Sequence, residues 1–149
     1  MTAAVHKSKT LTAGLAFLLG PLGAHRFYLY GLRDGFGWAH LAGSAMGVAG
    51  WGLLVTSELQ SIPGWVLTIC GAVSLFSAFL AAIVYGLRPD ARWDAQFNPG
   101  TTHPTRSGWT AVIIVICALF IGAMLMMSGL AIGFQTYFEA TMPANRLSQ

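Results

Sequence analysis

The sequence predicts an all-α integral membrane protein, a small bundle of three to four transmembrane helices whose first segment is short or re-entrant. Three observations predict it. Of the 149 residues, 55% are hydrophobic and only 9% charged, whereas a soluble domain carries roughly 25% charged residues and cannot cover a water-exposed surface with so few. The apolar residues form runs long enough to cross ~30 Å of hydrocarbon at 1.5 Å per helical residue. The Lys and Arg residues stand at the edges of those runs, where cations meet lipid headgroups, and not in one basic stripe of the kind that binds nucleic acid.

Residues 1–9 read as a basic N-terminal tail carrying Lys7 and Lys9. A helix over 10–22 follows. From Thr10 to Ala24 the chain is uncharged but spans only about 22 Å as a helix, and Gly20-Pro21 ends it early. It is a short span in a thinned bilayer, a re-entrant arm or a signal peptide; Leu22-Gly23-Ala24 makes a poor cleavage site, so the segment is expected to be retained. Residues 23–34 form a polar-aromatic turn. The helix over 35–56 is long enough to span but carries six glycines and His40, which membrane helices tolerate when neighbours hold the backbone.

A third helix over 64–87 is uncharged, with Pro63 suited to its first turn and Trp65 and Tyr85 as interfacial rings. The polar loop 88–108 opens with a stretch that reads as a short amphipathic helix on the membrane surface and ends in Pro, Gly and Thr. The fourth helix, 109–138, has Trp109 and Tyr137 at its ends, and 139–149 form a C-terminal tail.

Cation counts bear on orientation. If the first segment does not cross, Lys7, Lys9, Arg26, Arg33, Arg88, Arg92 and Arg106 share one face, and Arg146 stands alone on the other. If it crosses, the split falls to five against three. The excess of cations on cytoplasmic loops therefore favours a re-entrant or shallow first helix. In both arrangements loops 23–34 and 88–108 lie on the same face, expected to be cytoplasmic, in a cell inner membrane. These loops also share Tyr-Gly-Leu-Arg, at 30–33 and 85–88, with Trp38 and Trp93 following at equal distance. Nothing upstream matches, so this reads as shared interface chemistry and not as an internal repeat.

Lys7-Ser8-Lys9, Phe17-Leu18-Leu19-Gly20, Gly23 and His25-Arg26-Phe27-Tyr28-Leu29 together resemble the TM-two domain family, over roughly residues 7–56. The family is named for two transmembrane helices joined by a short polar-aromatic loop. Tyr30 stands where the family has glycine, and His25 where its animal members carry an acid. The resemblance implies a small helical membrane domain of the bacterial type, with no chemistry attached to it.

Candidate contact residues for lipid or a partner are His25, Arg26, Phe27, Tyr28, Arg33, Arg88, Arg92 and Trp93, because guanidinium forks onto phosphates and carboxylates and interfacial aromatics fix depth. For Arg26 the plainer alternative is snorkelling to the interface or binding carbonyls freed at Gly20-Pro21. His40, inside a predicted span, either contacts haem or quinone or bonds a neighbouring helix, and the missing second histidine ligand favours the bond. Small residues at Ala39, Gly43 and Gly47, at Cys70, Ser74, Ala78 and Ala82, and at Gly129 and Gly133 mark helix-packing faces.

No metal-ligand spacing, catalytic triad, phosphate-binding glycine loop or acid/base pair appears. Cys70 and Cys117 lie in apolar runs and read as packing residues. No cofactor is expected. The expected function is a non-enzymatic structural or interaction protein of the membrane, whose partners are the lipid bilayer and other membrane subunits or a second copy. The alternatives are an accessory or anchor subunit of a respiratory-type complex with His40 near haem or quinone, and, more weakly, a small channel or carrier.

Overall fold

The computed structural model describes residues 6–142. Among these residues six helices follow one another: α1 (Lys9–Leu19), α2 (Ala24–Tyr30), α3 (Gly35–Thr56), α4 (Ile62–Leu87), α5 (Asp90–Phe97) and α6 (Trp109–Thr141), with a 3-10 turn at Gly20–Leu22 between the first two. Three of them, α3, α4 and α6, are long and apolar enough to cross a membrane. Their outward faces carry bare aliphatic side chains, such as Val48 at 76% and Val73 at 64% exposure. Water would not tolerate so much contiguous apolar surface, whereas lipid matches it. The protein is a multi-pass, all-helical membrane protein.

The antiparallel α3–α4 pair is built on small residues. A Cβ on Gly47 would come within 2.8 Å of the Gly71 Cα, and one on Gly43 within 2.9 Å of the Ser74 Cβ, so the two backbones touch where side chains would hold them apart. Ala39, expected on this stripe, is exposed instead. Ser61 accepts from Gly64 N at 3.0 Å to cap α4, which begins at Ile62, two residues before the predicted start, and takes Pro63 into its first turn. Helix α6 packs on α4 through Ala111, Val115, Ala118 and Gly122. Ala16 of α1 joins Phe79, Ala82 and Ala118 in the central apolar cluster.

The first segment does not cross. Helix α1 starts beside the C-terminal end of α4, where Lys9 Nζ donates to Arg88 O at 2.8 Å and pairs with Asp90 at 2.6 Å. It then descends to Gly20, which lies against Ala78. Ala78 is nine residues from the end of α4, a depth of about 13 Å. There the chain turns: Gly23 adopts φ 74°, ψ 11° and its N–H donates to Gly20 O at 2.8 Å. Helix α2 climbs back to the starting face, where Lys7 Nζ donates to the carbonyls of Tyr28 and Leu29. The stretch expected as a turn at 23–34 thus contains a helix, and the hairpin is re-entrant. Lys7 and Lys9, expected in a basic N-terminal tail, are built into the fold. The tail expected over 139–149 continues α6 to Thr141, and Arg146 lies outside the described residues.

Irregular backbone survives at membrane depth only when protein covers it. Here Ser44 Oγ donates to Pro21 O at the hairpin tip. Gly23 fits against the Gly37 carbonyl with no room for a Cβ, and Gly37 fits equally close under the Phe27 ring.

Candidate functional site

The residues that look chemical converge where the hairpin returns to the ends of α3 and α4. Asp34 caps α3 by accepting from Gly37 N at 2.8 Å. The same carboxylate receives Arg26 twice, Nε on Oδ2 and Nη2 on Oδ1, both at 2.9 Å. That bidentate pair ties α2 to the start of α3, and its hydrogen bonds raise the Arg26 pKa and hold the Asp34 carboxyl below its usual value. Arg26 also lies over the Tyr30 and Phe36 rings, 4.4 and 5.0 Å from their centroids. It neither snorkels nor binds the carbonyls at Gly20-Pro21, and its fork is already filled.

His25 is 1% exposed, with its ring edge-on to His40 at 5.2 Å and 6.0 Å from Tyr85. Its Nδ1 has no hydrogen-bond partner among the described residues. Burial, with His40 and Arg26 beside it, pushes its pKa from 6.5 to about 4, against the pull of Asp34. His40 Nδ1 lies 3.0 Å from Ser74 Oγ, whose hydroxyl also donates to the His40 carbonyl. The cleft beside His40 holds about 200 Å³, below the roughly 300–1,000 Å³ of clefts that bury small-molecule ligands.

Trp93 is the largest correction. Expected at the membrane surface, it is fully buried, with Nε1 donating to Lys7 O at 2.8 Å and its ring 4.4 Å from Phe97 and 5.9 Å from Tyr85. Tyr85, expected as an interfacial anchor, is therefore a half-buried internal neighbour of Trp93 and His25. The Tyr28 hydroxyl oxygen accepts from Ser8 N at 3.0 Å, and Phe27 packs edge-on to Trp38 at 5.5 Å. The Arg88 carbonyl holds Lys9, and its guanidinium lies 5.9 Å from the Phe97 centroid. Of the eight candidates, only Arg33 and Arg92 are exposed.

Sequence reasoning missed the organisers of the adjoining loop. Asp90 accepts from Lys9 and from Ser107 N and Oγ, and Asp94 from Thr105 N and Oγ1 and from Asn98. Asn98 in turn accepts from Lys7 N at 2.7 Å. Burial works against ionisation of Asp90, but its hydrogen bonds prevail and bring its pKa down to about 2. The available signal was the spacing Asp90-x-x-x-Asp94-x-x-x-Asn98, which lines three acceptors along one face of α5 and its C-cap. The result is a polar platform that locks residues 6–9, α5 and loop 98–108 together.

This fold and site define a multi-pass helical membrane protein that carries a re-entrant hairpin under a hydrogen-bonded cap. Residues 5–57 match the family model of the TM2 domain, about a third of the chain, and include the hairpin and α3. No curated protein and no solved structure matches the chain. Within the matched stretch the hairpin is re-entrant and α3 is long enough to span.

Proposed function

We propose that the protein is a non-enzymatic interaction module of the cell inner membrane, presenting its platform face to a membrane partner in the cytoplasm. One observation carries this reading: the polar groups of Arg26, Tyr28 and Trp93 are occupied within the fold, while Arg33 and Arg92 stand exposed on the same face with no hydrogen bond or ion pair among the described residues. Exposed Leu32 and Phe36 at 73% and 70% stand on the same side. Such a mixture of cations and apolar groups around a rigid support suits contact with another subunit. The orientation is supported by seven Lys and Arg on the platform face and none on the opposite face among the described residues.

The test is affinity purification in mild detergent with photo-crosslinkers at the exposed positions 32 and 36, beside the arginines and not in place of them. The reading predicts a defined crosslinked partner that is lost in the double variant Arg33→Glu, Arg92→Glu. A lone monomer with no crosslink at either position would contradict it.

A further inference from the structure

Two clefts adjoin at the start of α1, one against the platform's loop 98–108 and one between α1 and α6. The first, about 770 Å³, is polar and lies between the start of the described chain and loop 98–108, with His6, Thr102, His103 and Arg106 on its walls. The second, about 630 Å³, is an apolar groove between α1 and α6, lined by Gly14, Leu15, Leu18 and Ile114 among others. Ser8 and Thr10 line both, so the polar cleft and the groove adjoin at these two residues.

We infer that this pair of clefts is a binding site for one anionic glycerophospholipid, with the phosphate in the polar cleft and an acyl chain in the groove. Depth fits first. From Thr10 to Leu18 the groove follows eight residues of α1, about 12 Å, close to the acyl depth of one leaflet in a ~30 Å core. Both helices descend from the same face, so the groove runs along the lipid's own axis. Gly14 keeps it open: the nearest side-chain atom to a Cβ there is Ile114 Cδ1, at 3.7 Å.

Charge fits second. Arg106 makes no hydrogen bond or ion pair among the described residues, and the carboxylates nearest it in the chain, Asp90 and Asp94, are already occupied by Lys9, Ser107, Thr105 and Asn98. His103 adds a donor to the walls, and His6, whose Nε2 accepts from Asn98 Nδ2 at 3.3 Å, keeps its Nδ1–H to donate. The face as a whole carries seven Lys and Arg against three Asp among the described residues, which favours an anionic over a zwitterionic headgroup. Free phosphate would use only the polar half and leave the apolar groove without a role, so the lipid is the better occupant.

The test measures lipids retained by the full chain after extraction from vesicles of equal phosphatidylglycerol and phosphatidylcholine, by native mass spectrometry. The wild type retains the anionic lipid about fivefold or more over the zwitterionic one, the effect of one cation at a membrane surface. Arg106→Gln with His103→Gln brings the two lipids to near parity, while Arg33→Gln, on the same face but away from the clefts, keeps the preference. Gly14→Leu, which fills the groove, loses both lipids yet melts like the wild type. Equal retention of the two lipids by the wild type, an unchanged preference in the Arg106 and His103 variant, or displacement by millimolar free glycerol phosphate would each overturn the assignment.

Discussion

The two halves of the bundle are built differently. On the platform side, α1 and α2 fill the space between the long helices, and buried polar groups are cross-linked: Lys9 to Asp90, Trp93 to Lys7, Arg26 to Asp34. On the opposite side the hairpin is absent. Helix α6 buries nothing beyond Gly122, and a cleft of about 440 Å³ opens between Trp65 and Ile69 of α4 and Gly129 and Gly133 of α6. The same sequence device, small residues at helical spacing, therefore has two outcomes. At Gly43, Gly47 and Gly71 it brings two backbones into contact, while at Gly129 and Gly133 a Cβ would meet nothing within 4 Å. Spacing marks a face able to pack closely; whether it packs depends on what else fills the bundle at that depth.

Substitutions that compare the halves range from large to negligible. Gly23→Ala combines a left-handed backbone with a clash against the Gly37 carbonyl, and is expected to cost about 3 kcal/mol or more, read as loss of the monodisperse peak and of the melting transition in detergent. Acidification comes next. His25, facing His40, Arg26, Asp34 and Tyr85, is held near 4 when folded against 6.5 when exposed. Its contribution is therefore complete above pH 6.5 and is lost as pH falls toward 4, where the unfolded chain binds a proton that the folded chain excludes. The loss approaches about 3 kcal/mol, and His25→Gln should flatten melting temperature against pH in that window. Asp90, held at about 2, acts in a lower window: its contribution is present above 3.8 and fades from there down to 2.

Arg26→Lys keeps the charge but gives up the two-pronged bond to Asp34, with an expected cost of about 1–2 kcal/mol. A variant that melts like the wild type would show that the fork does not hold α2 to α3. The smallest effect belongs to the open half. Gly133→Ala should leave stability within about 0.5 kcal/mol, whereas Gly47→Ala, with the Gly71 Cα 2.8 Å from its Cβ, should cost about 1–3 kcal/mol. Equal losses at the two positions would mean that α6 packs against something through Gly133.

The spans were legible because length and hydropathy leave few alternatives for α4 and α6. The re-entrant arm was legible only as a conflict, between an apolar run too short to cross and a charge count that improved if it did not. The polar platform was largely hidden. Trp93 and Tyr85 have the composition of interfacial anchors, and nothing local to them reveals that α1 and α2 will fold back over them. Arg26 and Asp34 lie eight residues apart, which brings them together only once the Gly31 turn is made. Non-local closure of this kind has no periodicity to betray it.

The central claim is that α1 enters and leaves by the same face. It is tested most directly by one-sided labelling of single cysteines in a chain with Cys70→Ala and Cys117→Ala. His6→Cys, Arg33→Cys and Thr102→Cys should all label from one side of sealed vesicles, and Gln60→Cys only from the other. Labelling of His6→Cys together with Gln60→Cys, opposite to Arg33→Cys, would show that α1 crosses and would contradict the account.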